Sequence, residues 1–240
     1  MNIFYRSDIG KVRKTNEDSY LIVEKDDYTL LIIADGMGGH KAGEVASKIA
    51  VDSIKLYFEN KYEDNKDFGV LLTKAIKFAN QEINKKSKES EEYFNMGTTV
   101  EACVLTTEKL IIGHVGDSRV YYFNNKELKQ ITKDHSLFND LIDHGNVSVE
   151  EAKEIGHKNI ITRALGGEEK VKVDIFTLDT KYMNGILICT DGITSMVSDD
   201  DIFEILKSDY KLEEKTNLIV DKANENGGRD NSTIIIVGLR

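Results

Sequence analysis

Thr29-Leu30-Leu31-Ile32-Ile33-Ala34-Asp35-Gly36-Met37-Gly38-Gly39-His40 is a strand-length apolar run that delivers a carboxylate and follows it at once with glycine. Ile186-Leu187-Ile188-Cys189-Thr190-Asp191-Gly192 repeats the arrangement far downstream. An aspartate at the end of a buried strand is partly desolvated, and it costs free energy unless it is paired or coordinated. The glycine after it predicts a sharp turn and a close backbone approach, so that a carbonyl can share a ligand with the carboxylate.

Around these two runs the chain alternates between strand and helix patterns. Strands are expected over residues 2–9, 19–23 and 29–34. Two amphipathic helices follow: Val45/Ala46, Ile49/Ala50, Ser53/Ile54 and Tyr57/Phe58 recur at helical spacing, as do Phe68, Leu71/Leu72, Ala75/Ile76, Ala79 and Ile83. Residues 98–106, 109–115, 119–123 and 127–131 read as strands, and their short joins predict antiparallel neighbours. Residues 133–170 are irregular and polar, which predicts a small insertion with short helices. Strands resume at 171–178 and 185–190, a helical pair covers 199–208 and 212–224, and 232–238 closes as a strand. Meanders of strands with helices gathered in pairs do not fit a βαβ repeat. They predict an α+β class, antiparallel sheets with helices packed outside, as one domain over residues 1–240.

Composition narrows the function classes. The 240 residues are 40% hydrophobic and 31% charged, and the net charge of −10 argues against nucleic acid or anionic lipid as the main partner. No apolar run approaches a bilayer span, and no basic stretch leads into an apolar one at the start, so the expectation is a cytoplasmic chain with no membrane partner. Cys103 and Cys189 each sit in an apolar strand pattern and are expected as buried free thiols. The chain has no proline, so its turns rest on Gly, Asn and Asp.

Five Asp-bearing motifs lie at or just beyond expected strand ends. They are Arg13-x-x-Asn16-Glu17-Asp18, Asp35-Gly36-Met37-Gly38-Gly39-His40, Gly116-Asp117-Ser118-Arg119, Thr190-Asp191-Gly192 and Arg229-Asp230-Asn231-Ser232. Any one Asp-Gly pair is ordinary turn chemistry, but the set is not. Carboxylates with a glycine carbonyl and waters suit Mg²⁺ or Mn²⁺ in octahedral geometry. Zinc is disfavoured, because Cys and His at zinc spacing are missing.

In this order, spread from Arg13 to Asp230, the motifs resemble the metal-dependent protein phosphatases, the type 2C serine/threonine class, in its compact bacterial branch. The resemblance implies a four-layer αββα sandwich, two central antiparallel sheets flanked by helix pairs, with two or three Mn²⁺ or Mg²⁺ ions between the sheets. It implies that Asp35 bridges two metals, that the Gly36 carbonyl binds one, and that Asp191 and Asp230 bind the other. Asp117, again with Asp191, would serve a weaker third ion. Glu17 and Asp18 would hold metal-bound waters from behind, and residues 133–170 would be a flap beside the site. The implied partners are phosphorylated proteins, substrates of a serine/threonine kinase, met by a monomer.

Two such metals, about 3.5–4 Å apart, can bridge a water and lower its pKa towards neutrality. That hydroxide would attack phosphorus in line, so no protein nucleophile is required. Arg13 is the candidate phosphate clamp, its alternative being a surface ion pair with Glu17. His40 is a candidate general acid or substrate contact, its alternative being structural packing. Where some relatives carry histidine after the Asp-Gly pair this chain has Met37, expected to pack at the pocket edge. His114 reads as a satisfied core histidine, and His135, His144 and His157 as solvated or locally hydrogen-bonded. Arg163 is placed on the substrate side, and Ser118 and Arg119 are expected to shape the Asp117 turn. Asn231 is expected to orient Asp230 by hydrogen bonding. Competing functions are hydrolysis of small phosphorylated molecules and an inactive phosphoprotein-binding module.

Overall fold

The computed structural model describes residues 1–38, 42–63, 67–143, 145 and 160–239. Strand β3 (Thr29–Met37) shows why the layers form. Its side chains alternate between two apolar environments, with Leu31 and Ile33 in one core and Leu30, Ile32 and Ala34 in another. A strand that is apolar on both faces has to be covered on both.

The first sheet has the order β1 (Asn2–Asp8), β11 (Ser232–Gly238), β10 (Gly185–Cys189), β7 (Arg119–Phe123), β8 (Leu128–Gln130). The second runs β2 (Asp18–Glu24), β3, β5 (Val100–Leu105), β6 (Lys109–Val115), β9 (Asp174–Asp179), with the two-residue β4 (Gly97–Thr98) on β3. Every neighbouring pair is antiparallel.

Between the sheets, Leu31, Ile33, Cys103 and Ile112 meet Val120, Ile188, Ile235 and Val237. Helices α1 (Ala42–Lys61) and α2 (Phe68–Ser87) cover the outside of the second sheet, where Ile54, Phe58, Leu72 and Ile76 pack on Leu30 and Ile32. On the far side, α5 (Asp199–Lys207) and α6 (Leu212–Glu225) cover the first sheet, with Ile202, Ile219 and Val220 against Leu187, Ile234 and Ile236. Each fully buried aliphatic side chain contributes roughly 1.5–3 kcal/mol by leaving water. The expected α+β, four-layer sandwich is therefore present.

Several boundaries shift. Asp18 and Asp35 lie within β2 and β3, directly opposite each other in the register. The sharp turn expected at Gly36 is absent, because β3 runs on through it to Met37. That glycine serves close approach instead: a Cβ there would lie 2.2 Å from the Gly43 carbonyl oxygen of α1. The short join over 116–118 does not make β6 and β7 neighbours. It carries the chain from the second sheet to the first, with Gly116 at φ +123°. The strand expected from 171 begins at Asp174. Two short helices, α3 (Leu137–Asp143) and α4 (Asp191–Thr194), stand beside the sheet ends, and α4 was not expected. Cys103 and Cys189 are buried free thiols. No described helix is long and apolar enough to cross a membrane.

Candidate metal centre

The carboxylates gather at one end of the sandwich because both sheets and the crossover between them deliver them there. Asp18 and Asp35 come from the second sheet, Asp191 from the start of α4 after β10, Asp230 from just before β11, and Asp117 from the crossover. Asp117, Asp191 and Asp230 line one cleft of about 960 Å³ that also takes in Arg229, Lys133 and Phe138.

Threonines fix the backbone and one carboxylate. The Asp35 N–H donates to Thr99 Oγ1 at 3.0 Å, and its carbonyl accepts from the Thr99 N–H at 2.9 Å and the Thr98 hydroxyl at 2.8 Å. Asp18 Oδ2 accepts from the hydroxyls of Thr190 (3.0 Å), just past the end of β10, and of Thr233 (2.6 Å) in β11 of the opposite sheet. Its other oxygen, Oδ1, is buried with no hydrogen-bond partner, and so is Oδ1 of Asp117. A buried carboxylate oxygen left unpaired is costly. Each of these two oxygens is chemically suited to a cation.

The electrostatics agree. Burial, reinforced by Asp18, Asp191, Asp117 and Asp230, holds the Asp35 carboxyl well above its usual range. Burial lifts Asp18 to about 7 against the pull of the Thr233 and Thr190 hydroxyls, with Asp191 and Asp230 adding to the rise. Asp117 is pushed up to about 7 by burial and then by Asp191 and Asp134. Burial, then Asp230, raises Asp191, whose carboxyl is within hydrogen-bonding reach of Asp35. Burial also raises Glu17, against the opposing charge of Arg13. Among the described residues, no three His, Cys, Asp or Glu side chains are grouped tightly enough to hold an ion as they stand. Like charges in a poorly solvated cleft raise one another's pKa values, and a cation would offset them. The all-oxygen donor set and the orphaned oxygens fit a hard divalent cation.

The other candidates divide. Arg13 is beside the cluster, where its guanidinium donates to Asp230 Oδ2 at 2.7 Å rather than pairing with Glu17. Asn231 does not orient the Asp230 carboxylate through its side chain. Its Oδ1 accepts from the Glu17 N–H at 2.8 Å and its Nδ2 donates to the carbonyls of Ile9 and Thr15, both at 3.0 Å. Only its backbone N–H meets Asp230, at Oδ1. Asn231 therefore holds the loop carrying Arg13 and Glu17 against β11. His40 lies outside the described residues, as do His144 and His157. Met37 packs beside Gly97 and Leu165 at the rim of an adjoining groove.

His114 is the satisfied core histidine expected, bonded to Glu101 through Nδ1 and to the Lys133 carbonyl through Nε2. Arg119 chelates Asp134 at 2.7–3.0 Å, and the Ser118 hydroxyl meets that of Thr99, so both brace the Asp117 crossover. His135 departs from expectation. It is buried, and its partners Gly116, Arg163 and Asp174 are distant in sequence. Arg163 is engaged there with His135 and Asp174. The threonines were also missed. Their signal was available in Thr98-Thr99 and Ser232-Thr233, where hydroxyls open otherwise apolar strands.

The family described as Protein phosphatase 2C matches residues 11–223. The serine/threonine phosphatase stp of Listeria monocytogenes is 40% identical over 240 residues, covering 99% of this chain and 95% of its own. The crystal structure of the serine/threonine phosphatase Stp1 from Staphylococcus aureus superposes with a TM-score of 0.89 at 33% identity, covering 99% of this chain and 94% of that one. The catalytic domain of the serine/threonine protein phosphatase PstP, solved in complex with 2 manganese ions, superposes with a TM-score of 0.82 at 33% identity, over 98% and 96% of the two chains. Carboxylates converging from both sheets, and likeness of this extent along the whole chain, have one reading: the chain belongs to the protein phosphatase 2C family, the metal-dependent serine/threonine protein phosphatases.

Proposed function

We propose that residues 1–240 form one catalytic domain that hydrolyses phosphoserine and phosphothreonine monoesters on proteins, as a monomer working opposite a serine/threonine kinase. Asp35, the Gly36 carbonyl, Asp191 and Asp230 would hold two divalent cations, Mn²⁺ or Mg²⁺, and Asp117 with Asp191 a third. The observation that carries this reading is the convergence of half-buried carboxylates from both sheets, with buried oxygens of Asp18 and Asp117 left unpaired. The manganese-bound PstP domain supports the cation type.

When bound, the cations supply a water activated for attack and offset the charge of the ester. The residues of the chain do the rest. Arg13, exposed at the cleft edge, can turn its planar guanidinium from Asp230 to two phosphate oxygens. Asp18, pinned by Thr190 and Thr233, and Glu17, held through its backbone by Asn231, accept hydrogen bonds from waters around the site. Thr98 and Thr99 fix the backbone of β3 at Asp35. Residues 133–170 would form the flap beside the cleft, and His40 would contact the leaving group.

The test compares Mn²⁺-dependent turnover of phosphopeptides, nucleotides and sugar phosphates by the full chain, with Asp191→Asn as control. Preference for phosphopeptides, and loss of turnover in the variant, are expected. Preference for the small molecules would overturn the substrate class, and unchanged turnover in Asp191→Asn would overturn the ligand set.

A further inference from the structure

His135 lies where three parts of the chain meet. Its backbone N–H donates to the Gly116 carbonyl at 2.8 Å, and its Nδ1 accepts from the Gly116 N–H at 2.9 Å. Its own carbonyl accepts from the Thr162 N–H at 2.9 Å, next to the Ser136–Ile161 bridge. On the other side of the ring, Nε2 lies 3.0 Å from Asp174 Oδ2 and 2.7 Å from an Arg163 nitrogen, and Arg163 pairs with Asp174. The ring packs 4.3 Å from that of His114.

Gly116 cannot be held by a side chain of its own. At φ +123° a Cβ would fall 2.5 Å from the Thr99 Cβ. The conformation of the crossover, and with it the direction of Asp117, therefore depends on bonds from outside. His135 supplies two of them, one to each side of the Gly116 peptide unit. An Nδ1 that accepts from an amide cannot carry a proton, so the proton sits on Nε2 and faces Asp174; the Arg163 nitrogen, itself only a donor, is held beside the ring by its ion pair with Asp174 and not by a bond to Nε2. Burial, with the charges of His114 and Arg163, pushes the imidazole down to about 4, so it stays neutral and keeps this acceptor.

We propose that His135 is a positioning residue that ties the Gly116–Asp117 crossover to both described ends of the 133–170 segment, and so sets how tightly Asp117 binds its cation. This rests on Asp117 being a cation ligand. The imidazole presents an acceptor towards Gly116 and a donor towards Asp174, and the two functions can be separated. An Asn side chain places an oxygen where Nδ1 stands, whereas Gln places its amide near Nε2.

The experiment uses the full chain and its His135→Asn, His135→Gln and Asp117→Ala variants. Mn²⁺ binding is read by calorimetry, and exchange of the Gly116 amide by hydrogen-exchange mass spectrometry. In the wild type a third, weaker Mn²⁺ is expected. His135→Asn should keep its affinity within threefold. His135→Gln should weaken it at least tenfold and speed exchange at Gly116, with the two tighter sites unchanged. Asp117→Ala should remove it. If Asp117→Ala loses the weak site and His135→Gln does not, the coupling is wrong and the ligand reading stands. If Asp117→Ala keeps the weak site, or the wild type binds only two ions, the ligand reading of Asp117 fails first. Equal losses in His135→Asn and His135→Gln, with equal drops in melting temperature, would reduce His135 to a structural part and overturn the proposal.

Discussion

Arg13 and Asp230 are far apart in the sequence and meet at 2.7 Å. Their side chains are 49% and 33% exposed, so the pair is screened and contributes at most about 1 kcal/mol to stability. A contact this weak is easily exchanged once a cation takes up the charge of Asp230. Arg13→Ala is therefore expected to leave the melting temperature nearly unchanged. It should lower kcat/KM on a phosphopeptide by roughly 10–100-fold, about the value of one charge-assisted bidentate contact. Steady-state kinetics with Mn²⁺ in excess checks this, and an unaltered kcat/KM sinks the clamp.

Asp191→Asn and Asp230→Asn should move activity and stability in opposite directions. Each keeps its shape and removes a negative charge from a cluster that repels itself, most evidently at Asp35 and Asp191. Turnover should fall by about 100-fold or more, the loss expected when a charged group acting on the transition state is removed. Without metal, both variants should melt higher than the wild type near pH 8. A variant that is both fully active and no more stable contradicts the site.

The pH dependence of the metal-free protein follows from Asp18 and Asp117. Both titrate at about 7 in the folded chain, above the value of about 4 usual for an unfolded carboxylate. The folded state therefore holds more protons between those values, and the associated stability is complete below about pH 4 and lost as pH rises through about 7. Calorimetric melting with a chelator present should show a falling transition temperature from about pH 5 to about pH 8. Mn²⁺ should raise it most at the alkaline end, where protons no longer compete. A flat chelated profile would falsify the assignment.

Asn231→Ala removes an acceptor for Glu17 and a donor to Ile9 and Thr15 at a buried position. Groups left unpaired there cost roughly 1–3 kcal/mol. For a chain of this length each kcal/mol lowers the melting temperature by about 2–4 °C. Thermal denaturation should show that drop, with a parallel loss of Mn²⁺ affinity as the loop carrying Arg13 and Glu17 loosens. Retention of both would remove Asn231 from the site.

What could be read from the sequence follows from what is local. The strand over 109–115 and the one over 232–238 match their expected limits, because a short apolar run and its flanking turn residues are properties of neighbours. The aspartates of the cleft are legible as a set, since each sits in a short motif with its glycine or asparagine. Partnerships were not. Thr190 and Thr233 hold Asp18 across the gap between sheets, and His135 meets Gly116, Arg163 and Asp174 only because the crossover brings them together. The 116–118 join misled for the same reason. Its length suits a hairpin, and only Gly116, buried against Thr99, turns the chain to the other sheet.

The place of β11 has a consequence for how the enzyme is made. This last strand lies between β1 and β10, inside the first sheet rather than at its edge, and Asp230 stands at its head. A nascent chain that has emerged only as far as α6 already carries Asp35, Asp117 and Asp191. It still has a gap between its first strand and β10, with no partner for either edge. Contacts closed over such long sequence separations form late and slowly. The first sheet is thus closed, and Asp230 brought beside the other carboxylates, only when residues 232–238 are seated between β1 and β10.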